Sequence, residues 1–266
     1  MSDLSIRNTV MSILRPEAFR QFNPYGRGPE SFATRVRGYL ARRAVRAIQR
    51  LLPSHAIRVI QELDKDQRDP EYLIDFLFTR LLGVIKPSQI RSEITALAWF
   101  VKELKPKTVL EIGTNNGGSL FLSTRLADPE ATVVSIDLPG GVYGGGYPDW
   151  RIPLYKSFSL PKQSMHLIRA DSHAAETLEK VKSIFGGEPV DYLFIDADHT
   201  YEGVKKDFEF YSPLVGLGGA IAFHDIVPHP PALNCGVDRL WNEIKRPESK
   251  EFVENIKQGW AGIGIF

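Results

Sequence analysis

The stretch Val109-Leu110-Glu111-Ile112-Gly113-Thr114-Asn115-Asn116-Gly117-Gly118-Ser119 decides the fold. It starts as a short run of the kind buried in a sheet and breaks at once into a turn rich in glycine and asparagine, with Ser119 opening a helix. Gly113 and the pair Gly117-Gly118 can take positive φ there and leave room that a side chain would fill. The spacing Gly-x-x-x-Gly-Gly is not the Gly-x-Gly-x-x-Gly of pyrophosphate binders. A tight structural turn uses the same residues, so the meaning of the loop comes from its position and company.

Its company is an alternation of strands and helices. Strands are predicted over 108–112, 132–137, 165–170, 190–196 and 220–225, with helices over 119–127, 174–184 and 202–212. Such alternation argues for a parallel sheet with helices on both faces, whose ligands sit beyond the carboxyl ends of the strands. A helix over 237–244 follows, and then segments 252–256 and 261–266 flank Lys257-Gln258-Gly259 as a closing antiparallel hairpin. Carboxylates stand at matching strand ends. Glu111 is placed to attract an ammonium or sulfonium charge, Asp137 to meet a ribose diol, and Asp171-Ser172 to meet an adenine.

With 266 residues and 43% hydrophobic composition the chain can bury a full core in one ordinary domain with a smaller appendage. Its 33 basic and 32 acidic residues leave a net charge of +1, too little for a global field that would hold a phosphate backbone, so nucleic acid is not expected as a partner. No apolar run reaches the roughly 18 residues of a membrane span, and the first residues do not read as an export signal. Cys235 is the only cysteine, which excludes an internal disulfide and any multi-thiolate metal site. A cytoplasmic location is expected.

Val109-Leu110-Glu111-Ile112-Gly113 with Ser119 resembles motif I of class I S-adenosylmethionine-dependent methyltransferases, the likeness covering residues 88–266. Phe194-Ile195-Asp196-Ala197-Asp198-His199-Thr200-Tyr201-Glu202-Gly203-Val204 and Gly218-Gly219-Ala220-Ile221-Ala222-Phe223-His224-Asp225 resemble the group of cephalosporin-hydroxylase-like and macrocin-type O-methyltransferases. The resemblance implies a Rossmann-like class I fold: a mostly parallel seven-stranded sheet closed by an antiparallel hairpin, with an N-terminal helical region. It implies an S-adenosyl-L-methionine site drawn from Glu111, Gly113, Thr114, Asn115, Gly117, Ser119, Asp137, Asp171 and Ser172. It also implies a divalent metal, Mg2+ or Mn2+, beside the hydroxyl of a small acceptor such as a sugar, glycosylated natural product or polyketide-like molecule.

Asp196 follows the fourth strand, and His224 and Asp225 the fifth. Neighbouring strands lie about 4.8 Å apart, so these three side chains can converge as metal ligands. His199 is the candidate general base, three residues beyond Asp196 where catechol-type relatives carry a lysine, and its ordinary pKa of about 6.5 suits proton removal. The bland reading makes it a helix cap or a partner of Asp198, which itself is a secondary ligand candidate. His224 departs from the family's pattern, which has an acid there; imidazole shifts the preference from magnesium toward manganese, iron or zinc. A metal-free reading makes His224 the base and Asp225 its orienter.

The glycine-rich insert after Asp137 is too long for a plain connection. Its Tyr143, Tyr147, Trp150 and Arg151 are candidates for binding the acceptor, against a structural loop at a subunit interface. His229, in Val227-Pro228-His229-Pro230-Pro231, reads as solvated. Residues 1–87 read as a helical region for oligomerisation or lid formation, ahead of a catalytic domain over 88–266. Within it Val36, Leu40, Ala44, Ala47, Ile48 and Leu51, interleaved with Arg35, Arg42, Arg43, Arg46 and Arg50, make a basic amphipathic helix. That helix suits a homo-oligomer or packing on the catalytic domain better than peripheral membrane contact. Further helices are predicted over 70–82 and 88–104. Asn23-Pro24-Tyr25 is a turn, since the similar motif of amino methyltransferases follows the fourth strand. The leading expectation is a metal-assisted O-methyltransferase; the alternatives are a metal-independent phenolic or carboxylate O-methyltransferase, a hydroxylase-like redox protein and a non-catalytic binding module.

Overall fold

The computed structural model describes residues 53–81, 83–140 and 146–266. The basic helix, the Asn23-Pro24-Tyr25 turn and Tyr143 lie outside the described residues. From Pro53 to Phe266 the chain forms one compact unit, so the helical residues between 53 and 87 belong to the same body as the sheet.

Seven strands stand in the order β3-β2-β1-β4-β5-β7-β6. They are β1 (Thr108–Ile112), β2 (Thr132–Asp137), β3 (Ser164–Arg169), β4 (Val190–Ile195), β5 (Val215–His224), β6 (Lys250–Phe252) and β7 (Ile263–Ile265). β1 to β5 run parallel, and β7 pairs antiparallel with both β5 and β6. β1 is buried along its whole length between β2 and β4, which is why its sequence is a continuous rather than alternating apolar run. Strand order reverses at the β1–β4 pair, and such a switch point opens a crevice at the carboxyl ends of the strands.

The closing hairpin is present but wider than its sequence suggests. Its strands begin at Lys250 and end at Ile265, leaving Ile256 exposed in the connection. Glu93 accounts for this: its carboxylate accepts from Glu254 N and Gly262 N at 3.0 and 2.9 Å, holding those amides away from the ladder.

The helices are α1 (Pro70–Thr79), α2 (Arg91–Leu104), α3 (Gly118–Leu126), α4 (Ile152–Lys156), α5 (Ala175–Phe185), α6 (Tyr201–Tyr211) and α7 (Val237–Ile244). Asp69 caps α1, accepting from Tyr72 N at 2.9 Å, with Pro70 in the first turn. Every residue of α3 is buried, including Arg125, whose guanidinium donates to Ile60 O at 3.0 Å. The helical segment 53–62 thereby caps a helix that no solvent reaches. On the other side of the sheet Phe223, Trp241 and Phe266 pack as neighbouring rings.

Candidate functional site

A cavity of about 640 Å³ opens at the carboxyl ends of the strands. One end is lined by Gly113, Asn115, Asp137, Asp171 and Ser172, the other by Asp196, His199, His224 and Asp225. Each falls at or just after a strand, because an apolar run ends where the chain leaves the sheet and polar side chains can begin.

At the first end Asp137 organises the backbone. Its Oδ2 accepts from Asn115 N at 2.8 Å and its Oδ1 from Gly146 N at 3.1 Å, so one carboxylate ties the glycine loop to the insert. Burial pushes its pKa up, and the amides that point at it work in the opposite direction. Asn115 O in turn accepts from the Tyr155 hydroxyl at 2.7 Å. Asp171 lines the wall and accepts from His173 N at 2.8 Å.

Four expected donor-site residues do not line the cavity. Glu111 is fully buried next to the Ser119 hydroxyl; burial, then the charge of Asp196, pushes its pKa well above the usual carboxylate range. Thr114 is buried with its hydroxyl 2.5 Å from that of Ser135, and Ser119 is buried in α3. Gly113 and Gly117 do take positive φ, at 97° and 75°, whereas Gly118 does not. The room they leave is filled by protein: a Cβ on Gly113 would meet the Asp196 backbone, one on Gly117 the Tyr155 ring and one on Gly118 the Pro87 backbone. These glycines allow close packing around the loop, and Gly113 also lines the cavity.

At the second end the acids and histidines interlock. His199 sets Nδ1 3.2 Å from Asp225 Oδ2 and Nε2 3.5 Å from Asp196 Oδ1. Ligand atoms of Asp196, His199 and Asp225 all lie within 4.8 Å of one another, a spacing that suits one divalent cation. His224, expected as a ligand, stands behind them with Nδ1 3.2 Å from Asp196 Oδ1 and 3.4 Å from Asp225 Oδ1, and its Nε2 is buried without a partner. Burial alone would lower the His224 pKa; Asp196 and Asp225 outweigh it and hold the imidazole well above the usual histidine range. His224 Nδ1 thus braces two carboxylates at once. It is His199, foreseen as the base, that joins the acids at ligand spacing.

Asp225 holds φ +66°, an uncommon conformation for a residue other than glycine and one that collects at functional sites. Ala261 N donates to its Oδ1 at 2.9 Å. Asp196 is steadied by Gln89, whose Nε2 donates to Oδ2 at 2.6 Å. Asp198 lines the cavity, but its Oδ1 is taken up by the backbone and hydroxyl of Thr200 at 2.9 and 2.8 Å.

Among the described residues of the insert, Leu138 lines the cavity. Tyr147 is buried edge-on against Tyr155, and Arg151 donates to Val84 O and the Tyr155 hydroxyl. Trp150 is partly exposed beneath the Arg151 guanidinium. None of the three lines the cavity. Residues that the sequence did not single out do so instead: Ser88, His173, Leu233, Cys235 and Trp260, together with His229. His229 is not solvated. Its side chain is only 7% exposed, with Nε2 3.2 Å from Asp225 Oδ1. The one signal for it in the sequence was its place four residues beyond Asp225.

Among the described residues no helix is long and apolar enough to cross a membrane. Residues 110–226 match the family model described as "Methyltransferase domain". Two curated relatives are uncharacterised proteins: y4gI of Sinorhizobium fredii, 25% identical over 150 residues, and R132 of Acanthamoeba polyphaga mimivirus, 27% identical over 152. These alignments take in 55% and 57% of this chain but only 16% and 62% of the relatives, so the chain spans less than two thirds of either. Among solved structures, the O-methyltransferase TomG from Streptomyces achromogenes, involved in tomaymycin synthesis and in complex with S-adenosylmethionine, is 17% identical with a TM-score of 0.49, covering 80% of this chain and 94% of its own. Over residues 110–226 the chain is thus similar to a methyltransferase domain, set on a sheet whose strand order reverses between β1 and β4.

Proposed function

We propose that this protein transfers the methyl group of S-adenosylmethionine to a hydroxyl oxygen of a small acceptor, with a divalent cation held by Asp196, His199 and Asp225. One observation carries the reading: a single cavity has Asp137 and Asp171 at one end and the Asp196–His199–Asp225 group at the other. Donor and acceptor can therefore meet between them, and positioning is most of what methyl transfer requires. Asp137 and Asp171 bind the ribose and adenine ends of the donor, and Asn115 fixes the loop between them. A cation at the acidic end would supply Lewis acidity that lowers the pKa of the acceptor hydroxyl. The oxygen lone pair forms the new C–O bond as the C–S bond breaks, giving S-adenosylhomocysteine, a methyl ether and one proton. Leu138, Leu233 and Trp260, each partly exposed on the cavity wall, offer apolar surface to the body of the acceptor.

A second reading rests on the 3.2 Å contact of His199 Nδ1 with Asp225. Donation from Nδ1 would fix the tautomer and leave Nε2 as a base in a cation-independent reaction. Chelation followed by metal add-back separates the two, since turnover that survives chelation and falls in H199A supports the base. The proposal as a whole is tested by S-adenosylmethionine binding and by S-adenosylhomocysteine release with a panel of hydroxylated acceptors. Asp137→Ala should weaken donor binding about 10- to 100-fold, the worth of a charged hydrogen bond. Absence of donor binding in the wild-type chain would refute methyl transfer and leave a redox or binding role.

A further inference from the structure

Asp225 faces two clusters with its two oxygens. Oδ2 meets His199, while Oδ1 meets His229 Nε2 at 3.2 Å. Cys235 completes the second cluster: its sulfur, one His229 nitrogen and one Asp225 oxygen all lie within 4.8 Å of one another. We propose that Asp225, His229 and Cys235 form a second metal position, selective for a thiolate-seeking divalent cation such as zinc and bridged through Asp225 to the Asp196–His199 position.

The contacts of His229 point this way. Its Nδ1 lies 2.8 Å from Val227 O, and a carbonyl only accepts, so Nδ1 carries the proton. Nε2, 3.2 Å from Asp225 Oδ1, is then the nitrogen that faces the carboxylate and the sulfur. A proton held between Nε2 and Asp225 leaves the third donor, Cys235, unused, whereas a divalent cation would use all three. An imidazole held by a carbonyl through its other nitrogen is also the usual way in which a protein presents a metal-binding histidine.

The dimensions agree. Two ligand atoms each about 2.0 Å from a tetrahedral zinc stand about 3.3 Å apart, close to the 3.2 Å between His229 Nε2 and Asp225 Oδ1. The sulfur has to approach to about 3.6 Å of each, a modest inward shift. All three ligands sit on anchored backbone. Val227 N donates to Ala261 O at 3.0 Å, prolines flank His229, and Gly236 N, just after Cys235, donates to His199 O at 2.8 Å. The side chains of His229 and Asp225 are 7% and 6% exposed, so water competes little, while the cavity provides an entry path. Burial pushes the Cys235 thiol up to about 11, so the sulfur keeps its proton until a cation displaces it. This position does not depend on methyl transfer taking place.

Because Cys235 is the only cysteine, a sulfur-to-metal charge-transfer band on Co2+ binding can come from no other residue. Titration of the full, tag-free chain with Co2+ should produce that band in the near ultraviolet. Cys235→Ser and His229→Ala should each abolish it, while Asp196→Ala should retain it, and Zn2+ should protect Cys235 from a disulfide reagent in the wild type at least tenfold. Absence of the band together with unprotected Cys235 would overturn the proposal. Loss of the band in Asp196→Ala as complete as in His229→Ala would overturn the two-position arrangement in favour of a single shared ion.

Discussion

A Cβ on Gly113 would stand 1.9 Å from the carbonyl oxygen of Asp196. The two residues follow adjacent parallel strands, and Asp196 N also donates to Ile112 O at 2.8 Å, so the glycine loop and the acidic end of the cavity share one backbone junction. Gly113→Ala should destabilise the protein by about 3 kcal/mol or more, combining left-handed strain with a backbone clash. Gly186, at φ +62° with nothing within 4 Å of its missing Cβ, is the control, and Gly186→Ala should cost about 1 kcal/mol. Urea unfolding of both variants measures the difference.

Gln89 should matter through Asp196 alone. Its amide reaches Asp196 Oδ2 from the turn before α2, and Asp196 also faces His199 and His224. Gln89→Ala should lower Mn2+ affinity about 10- to 100-fold, the usual range for a residue that orients a metal ligand. Calorimetric titration with Mn2+ reads this directly; unchanged affinity would mean that the contact is incidental.

Glu93 fastens the loop that carries Trp260 and Ala261. It accepts from Glu254 N, from Gln258 Nε2 at 2.9 Å and from Gly262 N, all from a side chain that is almost wholly buried. Glu93→Ala should cost about 3 kcal/mol, since three donors lose a charged acceptor. Amide exchange at Ala261 and Gly262 should rise more than in β1, because the loss is local to the loop.

His173 supplies a pH signature. Its Nε2 lies 3.3 Å from the fully buried Asp207 carboxylate and 3.1 Å from Gly203 O. The hydrogen bond to Asp207 raises its pKa above the ordinary value, against a smaller opposing effect of burial. A raised folded-state pKa adds stability that is complete below the unfolded value of about 6.5 and fades as pH rises through the folded one. The stability difference between wild type and His173→Gln should therefore be larger at about pH 5.5 than at about pH 8.5. Equal differences at both would show that folding does not raise the pKa of His173.

The strands, their parallel order and the acids at their ends were legible in the sequence because burial on both faces leaves an apolar run whose end is marked by the first polar residue. Thus Thr108–Ile112 to the residue, Asp137, Asp196 and Asp225 follow from chain-local pattern. The antiparallel finish was also readable, but its width was not, since the Glu93 contacts that shape it span 161 residues or more.

Side-chain partnership is where the sequence stops. Residue types put Asp196, His199, His224 and Asp225 near one another, but the strained φ of Asp225 and the bracing by Gln89 set which imidazole meets which carboxylate. So His199 joins the acids, His224 backs them, and Tyr147 turns into the core. The glycine loop is determined by sequence as a turn; only the tertiary structure decides that its glycines make room for Asp196, Tyr155 and Pro87, because what fills the space of a missing Cβ comes from elsewhere in the chain.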